Sequence, residues 1–269
     1  MSNSKSKGGI RLGLAWLVLF LAILLPFWFM AAGLGYKYGL WDLGTALSTM
    51  TVNWGPKLAM GIGGAGIVLT VLGLIKAPRV KIVILSLAAI LIAGLVLGRM
   101  QGFRMNAQSV PPIHDIQTDW SDPIQFSDEM MELREGANPV LDAPTFGSGD
   151  NERLVSEAQA EAYPEIRSLI LRAPADVTYS AAYSTLDEMG MEIVTANEEA
   201  GVLEATYTST WYGFKDDVAV RIRPQGEGSQ VDVRSVSRVG RSDLGANAAR
   251  ISAILESLSS KLDVADMPS

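Results

Sequence analysis

The densest cluster of polar side chains that could do chemistry is the stretch DVRSVSRVGRSDLGANAAR, from Asp232 to Arg250. Its arginines precede a predicted helix, and a helix N-terminus attracts anions through its free N–H groups and its dipole. Guanidinium groups add paired donors for a carboxylate or a phosphate. The stretch therefore indicates a candidate anion site made of Arg234, Arg238, Arg241, Ser242, Asp243 and Gly245.

A structural role is the alternative for this cluster, and the acidity of the chain favours it. Asp243 can cap the predicted helix, because an aspartate side chain accepts hydrogen bonds from the first N–H groups of a helix. The arginines can form ion pairs with acids that lie close in the sequence, namely Asp216, Asp217 and Asp232.

The second polar cluster is IHDIQTDW, which holds the single histidine, His114, beside Asp115 and near Asp119. A histidine and a carboxylate can act together as a base, so these three residues form a second candidate polar site. The spacing matches no calcium loop, and no serine lies in a nucleophile-elbow context. A structural role for His114 and Asp115 is favoured, and no catalytic residue or metal ligand is assigned.

A third cluster is aromatic, and it follows a predicted strand. Such residues can line a pocket, touch a membrane or pack in the core at the end of a strand, and core packing is the commonest of these roles. The cluster consists of Tyr207, Trp211, Tyr212 and Phe214.

Composition excludes several functional classes. The chain has 269 residues with no cysteine and one histidine, which excludes disulfides, a cysteine nucleophile, iron–sulfur clusters and zinc sites of cysteine and histidine. A net charge of −7 argues against a nucleic-acid partner, and no cofactor is predicted. Only 19% of the residues are charged, below the quarter or so that is usual for soluble proteins. Part of the chain is therefore predicted to lie in a membrane.

The charge is divided between two regions. Residues 1–98 carry a net charge of +7 and residues 99–269 carry −14, which indicates a membrane anchor followed by a water-soluble domain. The anchor is predicted to hold three transmembrane helices, at about 12–35, 58–75 and 82–98, each long enough to cross most or all of a bilayer core. Pro26 predicts a kink in the first span.

Short basic segments predict the orientation of the anchor. The N-terminus and the link between the second and third spans contain only basic charges, so both are predicted to stay in the cytoplasm, with Pro78 making the turn in the link. The C-terminal domain then lies on the opposite side, which in a bacterium is the periplasmic side of the inner membrane. A cleaved signal peptide is the less favoured alternative for the first run, because that run is longer than a signal peptide's apolar region.

Two further features of the anchor have alternative interpretations. Residues 36–56 form either a short interfacial helix or a connecting loop. The second span contains GIGGAG, but neither the strand nor the acid of a dinucleotide loop accompanies it. Its small residues instead predict close helix packing, either within the chain or in self-association, through Ala59, Gly63, Gly66, Thr70 and Gly73.

The remaining residues predict one α+β domain, with an antiparallel sheet and helices packed on one face. Helices are predicted at residues 127–135, 150–162 and 175–189, the last of these with an apolar stripe of Val177, Ala181, Leu186 and Met189. Residues 138–149 are predicted to form a loop. Strands are predicted at 168–173, 191–196, 202–210, 217–223 and 230–234, with a turn at 224–228 that pairs Arg221 with Asp232 on the surface. Apolar residues at helical spacing from Leu244 to Leu262 predict a final helix.

Three stretches resemble one family. IHDIQTD at residues 113–119, DDVAVRIR at 216–223 and the stretch from Asp232 to Ile251 are similar to the bacterial and plastid family called domain of unknown function 1499. The resemblance covers about residues 110–262, although Gln117 stands where the family has serine. It implies an envelope-associated domain, often tethered to membrane spans, and it transfers no catalytic residue.

Two functional hypotheses follow from these features. The first is a membrane-tethered, non-enzymatic envelope protein that binds an envelope protein or an anionic lipid. The second is a periplasmic enzyme that uses His114 with Asp115 or Asp119.

Overall fold

The computed structural model describes residues 2–76 and 79–264, with the side chains from residue 9 onward. The chain forms two compact units. The first is Met1–Ala107 together with Thr210–Gly213, and the second is Gln108–Ser209 together with Phe214–Ser269. The predicted turn at Pro78 lies outside the described residues.

Three helices of the first unit are long and apolar enough to cross a membrane, which confirms the three predicted spans as helices. They are α1 (Ser2–Lys37), α2 (Gly55–Ile75) and α3 (Val80–Ser109). Each helix is longer than its predicted apolar run, because polar residues next to the run continue the helical hydrogen bonding. A π-helix, Gly44–Trp54, leads directly into α2, so the connection between the first two spans contains a helix.

The small residues of α2 pack against α3 of the same chain. A Cβ added to Gly63 would lie 3.5 Å from Ala93 Cβ, and one added to Gly66 would lie 2.8 Å from Ile90 Cγ1. At Gly73 the nearest atom would be Ile82 Cγ2, at 3.0 Å. The absence of side chains at these positions thus allows the two helices to approach closely.

The second unit is built on a six-stranded antiparallel sheet, in which β4 pairs with β8 beyond the end of β1 and the remaining strands follow the order β1-β8-β7-β6-β5. A separate pair, β2–β3, completes the strands. The strands are β1 (Asp115–Gln117), β2 (Thr145–Phe146), β3 (Arg153–Leu154), β4 (Leu169–Leu171), β5 (Glu192–Asn197), β6 (Val202–Thr208), β7 (Lys215–Gln225) and β8 (Gly228–Ser237).

Two long helices cover one face of this sheet. They are α6 (Ala175–Glu188) and α7 (Ala246–Lys261), and a shorter helix, α5 (Val155–Ala162), joins the same core. The inward residues of β7 and β8 alternate as predicted, so Val218, Val220 and Val233 are fully buried beneath the helices. This layer confirms the predicted α+β architecture.

The opposite face of the sheet is covered by a segment that we call the cover, residues 118–146. It contains α4 (Asp128–Leu133), whose N-cap Ser127 accepts a hydrogen bond from Met130 N, as the sequence predicts. Met130 is fully buried in a second apolar cluster on this face, together with Ile124, Phe126, Ala219 and Val236.

Several local predictions are wrong. The second helix of the domain begins at Val155 rather than Asp150. Arg153–Leu154, predicted to be helical, instead forms a strand that pairs with Thr145–Phe146, which lies in the predicted loop. Val177 is 45% exposed, whereas Tyr179 and Ala182 are buried. Of the predicted stripe, Leu186 is fully buried and Ala181 and Met189 pack against the core, so only Val177 departs from it. The β7–β8 turn is also shorter than predicted, with only Gly226 and Glu227 between the strands.

Candidate functional site

Arg234, the first residue of the predicted anion site, is fully buried under the cover. Its Nε and Nη2 donate to the two carboxylate oxygens of Asp115, at 3.1 and 2.6 Å. Its Nη1 and Nη2 also donate to the carbonyl oxygens of Ile124 and Leu141, each at 2.7 Å. The guanidinium is therefore committed to one carboxylate and two backbone acceptors inside the domain.

Arg238 shares a buried carboxylate with a second arginine. Its Nε and Nη2 donate to the two oxygens of Asp217, each at 2.8 Å, and Arg134 Nη1 donates to the same carboxylate at 2.5 Å. Burial raises the pKa of Asp217, but hydrogen bonds from Arg238 and Thr206 and the charge of Arg134 outweigh it, so the pKa lies below its ordinary value. Asp217 is therefore an ionised carboxylate held between two cations.

The other predicted residues of the anion site lie in the β8–α7 loop. Asp243 caps α7: its carboxylate oxygens accept hydrogen bonds from Gly245 N at 2.8 Å and Asn247 N at 3.0 Å. Ser242 Oγ accepts a hydrogen bond from Leu244 N, and Arg241 is exposed. Burial raises the pKa of Asp243 despite these hydrogen bonds. Ser242, Asp243 and Gly245 thus form a cap, while Arg234 and Arg238 face the cover.

Asp232 forms a third buried cluster. The strand register places it opposite Arg221, as predicted, but Asp232 is fully buried, so the expected surface pair is a partly buried one. Its carboxylate accepts hydrogen bonds from Arg221 at 3.1 Å, Arg223 at 2.8 Å and Ser168 at 2.5 Å. The difference arises because the gap between β1 and β4 is closed by Ser168 and by the cover.

The predicted polar site at His114 is divided between separate contacts. The Asp115 carboxylate is bound to Arg234, and Asp119 accepts hydrogen bonds from Ser121 N at 2.9 Å and Ser121 Oγ at 2.6 Å. Burial lowers the pKa of His114, with partial compensation by the charges of Asp115 and Asp243. The imidazole is therefore held in its neutral form more strongly than in a free chain.

An open concave surface lies along the edge of the sheet where β1 and β4 meet β8. It consists of two adjoining clefts, of about 450 Å³ and about 210 Å³, which share Arg167. The larger is also lined by Glu165, Ser168, Leu169, Leu255, Glu256, Ser259 and Ser260. The smaller is also lined by Thr118, Trp120, Ser156, Gln159, Ala160, Tyr163, Pro164 and Ile166. We call this surface the edge cleft.

Two polar groups give the edge cleft its character. Arg167 is exposed and donates from Nε to the carbonyl of Pro164 at 2.9 Å, which leaves its terminal nitrogens on the surface. Trp120 donates from Nε1 to Gln159 Oε1 at 2.8 Å, and Gln159 in turn binds the backbone of Gln117. The wall of the smaller cleft is thus fixed by hydrogen bonds between β1 and α5.

The aromatic cluster is also divided. Tyr207 packs against the main core, and the guanidinium of Arg250 lies 4.5 Å from its ring centroid. Trp211 and Tyr212 belong to the first unit, in the segment Thr210–Gly213. Phe214 N donates to Ser209 Oγ at 2.9 Å. Core packing, the favoured interpretation, therefore describes Tyr207 only.

The same strands and loops carry the family resemblance. The family model described as "Protein of unknown function (DUF1499)" matches residues 115–258, from the first residue of β1 into α7. The chain belongs to the DUF1499 family. A search of curated proteins finds no match to it.

The DUF1499 segment contains the buried ion pairs and all of the edge cleft except Ser259 and Ser260. Sequence reasoning missed Arg134 and the edge cleft, including Arg167, Trp120 and Tyr163. Strand alternation gave a signal for the ion pairs, because the charges of β7 and β8 share one face. Strand alternation gave no signal for the edge cleft. That cleft arises because β1 and β4 pair with different halves of β8. Among the described residues, no group of three histidine, cysteine or acidic side chains could hold a metal ion.

Proposed function

We propose that this DUF1499 protein is a membrane-tethered, non-enzymatic binding module of the bacterial cell envelope. In this proposal the three helices cross the inner membrane, the N-terminus is cytoplasmic and the DUF1499 domain is periplasmic. The exclusively basic charge of the N-terminus and of the α2–α3 link supports that orientation, since basic loops are retained in the cytoplasm. The three apolar helices support the tether itself.

The edge cleft is the observation that carries the binding role. Arg234 and Arg238 donate to the carboxylates of Asp115 and Asp217, so their hydrogen-bond donors are already used within the domain. Arg167 instead lies at the junction of the two clefts, and its Nε donates to the backbone carbonyl of Pro164. It is the better placed of these arginines to meet an anion from outside.

The lining of the larger cleft favours an amphiphilic ligand. Leu169 and Leu255 provide apolar surface beside Arg167, and serine hydroxyls lie around them. Glu165 and Glu256 line the same cleft and repel anions, so a head group with one negative charge beside Arg167 is disfavoured less than a multiply charged one. We therefore propose an anionic amphiphile as the ligand, with its charge at Arg167 and part of its chain on the leucines.

The enzymatic alternative has weaker support. A base made of His114 with Asp115 or Asp119 requires a free carboxylate beside the imidazole. Asp115 is bound to Arg234, and Asp119 is bound to Ser121. No observation favours this second function over binding.

The proposal is tested with the full chain in nanodiscs of phosphatidylcholine. A short-chain phosphatidylglycerol, kept below its micelle concentration, is titrated in and binding is measured by native mass spectrometry. Arg167→Ala is expected to weaken binding about tenfold, because it removes a charged hydrogen-bond donor. Arg241→Ala is the matched control, since Arg241 is an exposed arginine of the β8–α7 loop and is expected to leave binding unchanged.

Two other results would place the lipid away from the edge cleft. A loss confined to Arg241→Ala would move the anion site to the start of α7 and contradict the edge cleft. Equal binding by the wild type and both variants would place the lipid on the anchor or the disc, and it would overturn this ligand for the domain.

A further inference from the structure

We propose that Trp211 inserts its indole ring into the head-group region of the bilayer, so that the segment Thr210–Gly213 is a membrane-contacting loop. Lipid is the partner at this surface. Trp211 lies in the first unit, so this membrane contact does not depend on ligand binding at the edge cleft.

The loop is fastened to the end of α1 by backbone contacts. Lys37 Nζ donates to the carbonyl of Thr210 at 3.1 Å. A Cβ added to Gly33 would lie 3.1 Å from the carbonyl oxygen of Trp211, so the backbone of Trp211 passes directly over this glycine. Gly213 has a φ of +66°, which turns the chain back at the side chain of Lys37.

Tyr212 fixes the same loop to the π-helix. Its hydroxyl lies 2.7 Å from Thr51 Oγ1, and its ring centroid lies 6.4 Å from that of Tyr36. The loop therefore contacts two helical elements of the anchor, α1 and the π-helix.

These contacts set the level of the loop along the anchor. The uncharged run of α1 ends at Tyr36, and Lys37 is the first charge after it. The boundary between the apolar bilayer core and the head groups is expected near such a transition. Since Trp211 passes over Gly33 and Thr210 binds Lys37, the loop lies at this boundary.

The Trp211 side chain is free to enter lipid. It is 52% exposed although its backbone is packed, and its indole N–H has no hydrogen-bond acceptor among the described residues. Trp28 and Trp41 of the same unit donate to the carbonyls of Met50 and Ala32. Tryptophan favours membrane interfaces because its ring is apolar and its N–H is polar. Lipid at the head-group boundary satisfies both requirements.

The absence of cysteine from the chain permits a direct test. Trp211→Cys is labelled with an environment-sensitive fluorophore, and the full protein is reconstituted in nanodiscs that contain lipid spin-labelled near the head group. Leu24→Cys is the matched control, since Leu24 is a 41% exposed residue of the same unit at the middle of the uncharged run of α1. We expect roughly threefold stronger quenching at position 211 than at position 24, because interfacial aromatics sit at head-group depth and the middle of a span lies in the bilayer core.

A second variant tests whether the observed contacts place the label. Gly33→Leu, introduced into Trp211→Cys, would push against the Trp211 carbonyl and Tyr212 Cδ2, which would lie 3.2 Å from the new Cβ. Quenching at position 211 is expected to fall in that variant. If Trp211→Cys does not reconstitute, Thr210→Cys takes its place. Equal quenching at position 24 and at the loop position, or quenching that Gly33→Leu leaves unchanged, would overturn the proposal.

Discussion

Arg234 on β8 binds Asp115 on β1 through two hydrogen bonds, of 3.1 and 2.6 Å, and both side chains are almost fully buried. The same guanidinium binds the carbonyls of Ile124 and Leu141, which lie at two separated points of the cover. One side chain therefore connects an edge strand, a central strand and the cover. A buried arginine with this many acceptors specifies one arrangement of these three elements.

Arg234→Lys is expected to release the cover. Lysine retains the charge but lacks the planar set of donors, so it cannot reach Asp115 and both carbonyls together. We expect a loss of about 2 kcal/mol in the free energy of unfolding, since charged hydrogen bonds contribute about that much each. Hydrogen exchange by mass spectrometry is expected to show faster exchange in residues 118–146.

The matched control for this variant is Arg153→Lys. Arg153 forms an ion pair with Glu161 at 2.7 Å, but both side chains are largely exposed. Its replacement is expected to change stability little. Unchanged exchange in the cover of Arg234→Lys, alongside lower overall stability, would show that Arg234 stabilises the sheet and not the cover.

Asp217→Asn is expected to be more destabilising. It removes the one carboxylate, among the described residues, that pairs with both Arg134 and Arg238. Leaving buried cations without their carboxylate costs about 3–5 kcal/mol. Urea unfolding of the full chain in nanodiscs measures this cost, with the exposed Asp187→Asn on α6 as control.

The ionisation of Asp217 makes the stability of the protein depend on pH. The pKa of Asp217 is lower in the folded protein than in the unfolded chain. The unfolded state therefore binds the proton first as the pH falls. The stability that Asp217 contributes is complete above its ordinary pKa, near 4, and is lost as the pH falls through the lower folded value. Asp217→Asn is expected to flatten this acid limb, and an acid limb equal to that of the wild type would contradict the assignment.

Sequence patterns predicted those elements that depend on local periodicity. The alternation in β7 and β8, the cap at Ser127 and the three apolar runs each have a local physical cause, and the structure contains the elements they indicate. The edge cleft depends instead on which half of β8 pairs with β1 and which with β4. That choice involves residues more than 50 positions apart, so no local pattern encodes it.

Arg234 illustrates the same limit at a single residue. Its position in an arginine-rich stretch before a helix indicates an anion site on the surface. The structure buries it because Asp115, 119 residues away, supplies the anion. The alternative, that the arginines pair with acids close in the sequence, holds for Arg238 and Asp217. The partner of Arg234 is not one of those acids.

His114 is expected to titrate below its ordinary pKa. Burial disfavours the imidazolium, and the charges of Asp115 and Asp243 compensate only in part. Because the chain has one histidine, a single imidazole signal in an NMR titration reports the value directly. The folded midpoint is expected below 6.5, the ordinary value for histidine.

The stability effect of His114 follows from linkage. The unfolded chain takes up the proton before the folded protein does, so the contribution of His114 to the free energy of unfolding is complete above about pH 6.5 and is lost as the pH drops toward the folded midpoint. His114→Gln is expected to remove this slope while leaving the acid limb of Asp217. A folded midpoint at or above 6.5 would show that the neighbouring carboxylates outweigh burial.

Gly66→Leu distinguishes packing within the anchor from self-association. A Cβ at Gly66 would lie 2.8 Å from Ile90 Cγ1 and 3.2 Å from the Ser86 carbonyl oxygen, so the substitution is expected to separate α2 from α3. Gly64→Leu is the matched control, because no atom lies within 4 Å of a Cβ at Gly64. We expect a lower melting temperature for Gly66→Leu only, since overpacking costs about 1–3 kcal/mol. Native mass spectrometry follows the oligomeric state, and a dimer that only Gly66→Leu dissociates, at unchanged melting temperature, would assign the small-residue face to self-association instead.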